Sequence, residues 1–309
     1  MKLLSSGSTM QRDPWVVLHN GYYYYCCVNA GKEVFVAKTK ELADLSKAEF
    51  VKVYTAPEEG MWSKELWAPE LHIIDGKCYI YIACDDGNND NHRMYVLENF
   101  SDDPQKEYVM HGKITDATDK WAIDGSVIHY NGKMYFVWSG WETDLNVMQH
   151  IYIAEMSDPY TICSDRVSIT HPEYKWEKRG STGNPPNEVT KDMPHVNEGP
   201  VGLVHDGRLF VMFSASGCWT NDYCVGYTML KEGGDPLKAE DWEKCKKPLL
   251  KKSFKIKGPG HCSFTKIGDD DYIVYHAFDK DAKCGERSVN VRCQKVFWKN
   301  GKPYVGKPE

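Results

Sequence analysis

No apolar run in the 309-residue chain approaches the roughly 20 residues that a bilayer-crossing helix needs. Long helical periodicity is also missing, which leaves strands as the main elements. The opening Met1-Lys2-Leu3-Leu4-Ser5-Ser6-Gly7 lacks the apolar core of a signal peptide. Basic charge is in deficit: the net charge of −6 argues against a dedicated nucleic-acid binder, which needs a basic stripe. Low-complexity sequence is absent, and 41% hydrophobic with 27% charged residues excludes disorder and collagen-like repeats. Cysteine is not scarce, but its 11 copies are an odd number, so at least one is free or paired between chains. A chain this long does not need disulfides in place of a core. Cys26, Cys27, Cys78, Cys84 and Cys293 sit in apolar runs, where a reduced thiol packs as a small hydrophobe. A local Cys218–Cys224 bridge is the less favoured arrangement. A reduced, cytoplasmic protein is the simplest expectation, with secretion the alternative had a leader been trimmed.

What is plentiful is aromatic residues, 13% of the chain. They suit a β-rich fold and a protein that stacks on sugar rings. A hairpin signal also recurs. Asn20-Gly21, Asp75-Gly76, Asn131-Gly132 and Asp206-Gly207 each precede an aromatic, β-branched segment, and a degenerate copy surrounds Asp270. These dipeptides supply the positive φ angles that two-residue hairpins require. Strand-made repeats of 55 to 75 residues read as propeller blades. Five copies predict one all-β domain over residues 1–309, a five-bladed β-propeller with a central funnel. The blades fall at approximately 11–66, 67–120, 121–190, 191–255 and 256–309. The Gly180–Glu188 insert reads as a long loop beside the fourth blade that shapes specificity. The lysines from Lys244 to Lys252 read as a solvated outer-strand face.

Six to nine residues before each turn stands an ionisable side chain: Asp13, Glu70, Asp124, Glu198 and His261. In a propeller these positions open the innermost strands and face the funnel. Converging carboxylates raise one another's pKa, so one holds a proton while another stays ionised. Glycoside hydrolysis needs that division between an acid and a base. Several carboxylates also suit a hard cation such as calcium.

The five runs around these residues resemble family 43 of the glycoside hydrolases, from about Gln11 to Pro308. Trp138-Ser139-Gly140-Trp141-Glu142, Ser214-Ala215-Ser216-Gly217-Cys218-Trp219, Tyr275-His276-Ala277 and Arg292-Cys293-Gln294-Lys295 are similar to its α-L-arabinofuranosidase members. The resemblance implies a five-bladed propeller and an inverting hydrolase that releases terminal α-L-arabinofuranosyl residues. It implies Asp13 as general base, Asp124 as the residue that orients the acid and tunes its pKa, and Glu198 as general acid. Inverting geometry holds base and acid roughly 6.5–9.5 Å apart. His261 resembles a funnel histidine that contacts a central ion or its water, so a structural Ca²⁺ or Na⁺ is allowed, with no cofactor required. Arg292 resembles an arginine that reaches sugar hydroxyls. Trp15 and Trp67 are candidate walls for a furanose ring, and Trp141 and Trp219 candidates for the funnel mouth. Glu70 is expected near the sugar, as a hydrogen-bond partner of the acids rather than a catalyst. The expected partner is an arabinose- or xylose-containing oligosaccharide, with no nucleic acid and no membrane. A β-D-xylosidase or an arabinanase would use the same three acids. A glycoside phosphorylase would have only His261, His276 and Arg292 to hold phosphate, and a sugar-binding module would have no use for an acid and a base together.

Overall fold

A computed structural model of the chain describes residues 1–4, 9–180, 194–282 and 289–308. After β1 (Lys2–Leu4), the strands come in five successive antiparallel runs. The first holds β2 (Trp15–His19), β3 (Tyr22–Asn29), β4 (Glu33–Thr39) and β5 (Phe50–Thr55). The second holds β6 (Lys64–Ile74), β7 (Lys77–Asp85), β8 (Arg93–Asn99) and β9 (Val109–Ile114). The third holds β10 (Ala122–Tyr130), β11 (Lys133–Trp141) and β12 (Met148–Asp158), with β13 (Thr161–Ile162) and β14 (Val167–Thr170) both pairing β12. The fourth holds β15 (His195–His205), β16 (Arg208–Ala215), β17 (Cys224–Leu230) and β18 (Trp242–Lys244). The fifth holds β19 (Ile256–Ile267), β20 (Asp270–Asp279), β21 (Asn290–Lys299) and β22 (Lys302–Val305). Its edge is completed from the other end of the chain, because β1 pairs β21 with Lys2 opposite Arg292. A short parallel contact between β12 and β15 joins the third and fourth runs into one sheet. No helix among the described residues is long and apolar enough to cross a membrane.

The turns follow the chemistry of their dipeptides. Asn20-Gly21, Asp75-Gly76, Asn131-Gly132 and Asp206-Gly207 all take positive φ at both residues and join the first two strands of their runs. In the fifth run the turn lies at Gly268-Asp269, slightly before the expected place, with Gly268 at φ +62°. Asn300-Gly301 makes a further turn of the same kind between β21 and β22.

Strand alternation buries both faces of the runs. In β7, Cys78, Ile80, Ile82 and Cys84 pack with Val34, Val36 and Leu71, towards the first run. Tyr79, Tyr81 and Ala83 pack instead with Val127, Phe136 and Trp138 of the third. Ile128, Tyr135 and Val137 meet Leu209, Val211 and Phe213 of the fourth. Val16, Tyr23, Tyr25 and Cys27 meet Val274, Val291 and Cys293 of the fifth. Each such side chain stabilises by about 1.5–3 kcal/mol when fully buried. The first strands also touch in order: β2 with β6, β6 with β10, β10 with β15, β15 with β19, and β19 back to β2.

Cys218 and Cys224 are both free thiols. Lys246, Lys247, Lys251 and Lys252 are exposed, as expected of a solvated face, and Lys244 is the exception. It is nearly buried, with its Nζ 3.2 Å from the fully buried Glu177 carboxylate and 3.3 Å from Glu173. Residues 181–188, most of the predicted specificity loop, lie outside the described residues.

Candidate active site

All five runs break their regular backbone near the same end of the first strand. Asp13, just before β2, has φ +49°. Ala68 (+44°) stands two residues before Glu70 in β6, where pairing with β7 slips between Trp67 and Glu70. Asp124 (+55°) lies in the β10 slip between Ile123 and Ser126. Gly199 (+56°) follows Glu198 where β15 slips, and His261 (+46°) occupies the β19 slip between Gly260 and Cys262. A bulge re-aims a side chain that regular pleating would point elsewhere. Left-handed backbone at a residue other than glycine costs of order 1–3 kcal/mol and persists where the surroundings hold it, which is typical of functional sites.

The re-aimed groups meet at one cavity of about 450 Å³, within the usual range of roughly 300–1,000 Å³ for small-molecule sites. Asp13, Asp124, Glu198 and His261 all line it. Asp13 Oδ1 lies 3.0 Å from His261 Nδ1. Burial works against the Asp13 charge, but the attraction of His261, with Arg12 beside it, prevails and lowers its pKa. Asp124 Oδ2 accepts the Gly199 N–H at 2.9 Å. Burial raises its pKa, against the pull of His261. Glu198 Oε1 accepts the Tyr223 hydroxyl at 2.8 Å. Burial, reinforced by the neighbouring Asp124 charge, lifts its pKa to about 8. At neutral pH the site therefore holds an ionised Asp13 and a protonated Glu198. The His261 ring is near both: it touches Asp13 and also lies over Gly199, where a Cβ would be 3.3 Å from the ring.

Three tryptophans give the cavity apolar walls. Trp67 stacks on His92 with centroids 4.0 Å apart, Trp121 stacks on Trp141 at 4.7 Å, and Trp219 donates its indole N–H to the Gly180 carbonyl at 3.0 Å. Four of the expected sugar contacts do not line this cavity. Trp15 is a core residue whose indole N–H reaches the Leu71 carbonyl at 2.7 Å. Trp141 is buried behind Trp121. Glu70 is buried and lies 3.0 Å from His72 Nε2; burial holds its pKa well above the carboxylate range and pushes that of His72 down to about 3. Arg292 is buried in β21 against Asp279. The guanidinium at the cavity belongs to Arg12, and the lining also includes Asn89, Cys218 and Pro194. Arg12 and Trp121 stand inside or beside the acidic runs, so proximity to Asp13 and Asp124 is the signal that could have found them. Asn89 lies in the connection between β7 and β8 and carries no such signal.

The donor set does not confirm a central ion. Among the described residues no group of three or more His, Cys, Asp or Glu side chains is placed to hold a metal. His261 directs Nδ1 at Asp13, and a lone imidazole is a poor ligand for Ca²⁺, which prefers oxygen. Burial works against a charge on His261, but Asp13 and Asp124 raise its pKa and so favour a positive ring among these carboxylates.

Comparison with known proteins places this geometry among relatives. The family model described as Glycosyl hydrolases family 43 matches residues 7–303. An extracellular exo-α-(1→5)-L-arabinofuranosidase of Streptomyces avermitilis is 31% identical over 313 residues, covering 96% of this chain and 61% of the relative. The chain thus spans under two thirds of that protein. A protein of the same name from Streptomyces chartreusis is 30% identical over 273 residues, covering 86% of this chain and 79% of the relative. A solved α-L-arabinofuranosidase structure from Lactobacillus brevis superposes with a TM-score of 0.87 at 32% identity, covering 97% of this chain and 95% of that one. The two Streptomyces relatives are named extracellular, which overturns the expected cytoplasmic location. That expectation leaned on the opening residues and on cysteines in apolar runs, and a buried thiol packs the same way in either compartment.

Proposed function

Since this chain belongs to family 43 of the glycosyl hydrolases, we propose that it releases terminal α-L-arabinofuranosyl residues from arabinose-containing oligo- or polysaccharides, with inversion at the anomeric carbon. The observation that carries this is the opposed protonation of Asp13 and Glu198 in one cavity. Glu198 gives its proton to the departing glycosidic oxygen. Asp13 takes a proton from a water that attacks the anomeric carbon from the other face, and the C–O bond to the leaving group breaks as the bond to water forms. Asp124 holds Gly199 in place and its charge keeps the proton on Glu198. Trp67, Trp121 and Trp219 offer faces for the furanose ring. Carboxylates and water complete the scheme, so no cofactor enters it.

A five-bladed β-propeller is the architecture we infer, a single unit over residues 1–309 with blades at about 11–66, 67–120, 121–190, 191–255 and 256–309. The cyclic order of first-strand contacts supports it, as does the pairing of β1 with β21, which ties the two ends of the chain together. The cavity would be the mouth of the central funnel.

Hydrolysis of an aryl α-L-arabinofuranoside beside an aryl β-D-xyloside tests the activity, with the first-formed anomer followed by NMR. Faster arabinoside turnover with the β-anomer appearing first is expected. An α-anomer first, or preference for the xyloside, would overturn the assignment.

Asp124→Asn tests the tuning. Asparagine tolerates the left-handed φ at this position and keeps an acceptor for Gly199, but removes the charge that raises the Glu198 pKa. The high-pH limb of kcat/KM, set by loss of the Glu198 proton, should move to lower pH. At pH 8 the fraction of its own plateau that the variant keeps should be about fivefold smaller than the fraction wild type keeps, the effect of one pH unit on a limb near that value.

A further inference from the structure

The acid and the base are each gripped from behind by one member of a stacked aromatic pair. Tyr223, just before β17, and His276, in β20, are fully buried, with ring centroids 5.7 Å apart and planes inclined by 17°. The Tyr223 hydroxyl donates to Glu198 Oε1 at 2.8 Å. His276 Nδ1 accepts the backbone N–H of Asp13 at 3.1 Å. Neither ring lines the cavity. We propose that Tyr223 and His276 act together as positioning residues, setting the proton-bearing oxygen of Glu198 and the backbone of Asp13 from one shared seat. This rests on the acid and base roles proposed above.

Three features support it. With Oε1 receiving the tyrosine hydroxyl, the Glu198 proton is carried on Oε2, the oxygen left to face a leaving group. Asp13 has φ +49°, a conformation that needs external support, and the His276 acceptor meets its N–H. Burial lowers the His276 pKa to about 3, so the ring is neutral and Nδ1 is available to accept. The seat is also built to shape. Gly260 lies opposite His276 across β19 and β20, and a Cβ there would come within 2.2 Å of the Tyr223 ring. Glycine at this position lets the tyrosine lie flat against the strand.

Tyr223→Phe keeps the ring and removes only the hydroxyl. On an aryl arabinofuranoside with a poor leaving group, kcat should fall about 10- to 100-fold. KM should stay within about twofold, because the lost contact is not to substrate. With a dinitrophenolate leaving group, which departs without an acid, the loss should be several-fold smaller. The high-pH limb should move to higher pH, since the hydroxyl favours ionised Glu198, the other groups around it being Asp13, Asp124 and His261. His276→Phe should lower kcat about equally for both leaving groups. His276→Asn, which restores an acceptor, should recover most of that loss. A merely structural pair would lower the Tm but leave the limb and the leaving-group dependence unmoved, and that outcome overturns the proposal. So does a His276→Asn variant as impaired as His276→Phe. If wild-type protein cleaves neither glycoside, the assigned function fails and takes this inference with it. If wild type cleaves, Asp13→Asn and Glu198→Gln do not, and Tyr223→Phe behaves as wild type, the pair alone is refuted.

Discussion

Asp13→Asn should cost about 10²–10⁴-fold in kcat, the usual contribution of a positioned general base. The loss should be the same for every leaving group, because water activation is needed whichever alcohol departs. Asparagine is the informative replacement. It accepts the left-handed backbone that Asp13 adopts, whereas alanine would add strain to the chemical loss. The substitution also removes the charge facing His261 at 3.0 Å, and with it the chief opposition to the burial of that imidazolium. His261 should then lose its proton at lower pH. A Tm unchanged at pH 7.5 beside a collapsed kcat would locate the effect in catalysis. Near-wild-type turnover in Asp13→Asn would remove Asp13 from the mechanism.

Glu198→Gln should show the complementary pattern. With an alkyl or methoxyphenyl leaving group kcat should drop about 10²–10⁴-fold, and with dinitrophenolate by no more than about tenfold. The alkaline limb near pH 8 should vanish, because the group whose deprotonation produces it is gone. The direction follows from the raised pKa: wild-type activity is present while Glu198 is protonated and is lost as pH rises through about 8. Asp13, with its lowered pKa, sets the acid limb below the ordinary carboxylate range. These limbs belong to a coupled group of carboxylates, so they are properties of the set rather than of single residues. A flat leaving-group dependence in Glu198→Gln would exclude it as the acid.

The carboxylates were legible because they stand six to nine residues before turns whose own chemistry is local. Asn-Gly and Asp-Gly dipeptides dictate tight hairpins from two adjacent residues, and the chain between them keeps strand alternation. Asp13, Asp124, Glu198 and His261 could thus be gathered at one level by counting alone. The aromatic residues were less legible. Trp15, Trp67, Trp121, Trp141 and Trp219 look alike in sequence, and any of them could fill a core or a wall. Which one does is set by strand register and by the bulge beside it, since a slip of one residue turns a side chain to the other face. Trp67 and Trp219 reach the cavity, while Trp15 and Trp141 do not. Arg292 misses its expected place for a tertiary reason too: β1 pairs with β21 at Arg292, which is buried against Asp279, and the cavity's guanidinium comes from Arg12, for which no role was expected.

The sequence alone determined an all-β chain of repeated hairpins, the family to which it belongs, and the acids that meet at one end of its first strands. Those properties are encoded in short stretches, by turn dipeptides, alternation and spacing, so they survive without knowledge of any distant contact. Tertiary structure alone decided the burial and neighbouring charges that push the Glu198 and Asp13 pKa values apart, which tryptophans face the cavity, and that Tyr223 and His276 stand behind the two carboxylates. Those depend on burial and on charges brought together from distant parts of the chain. Glu198 and Asp13 are ordinary carboxylic acids until folding removes water from one and sets the His261 ring beside the other.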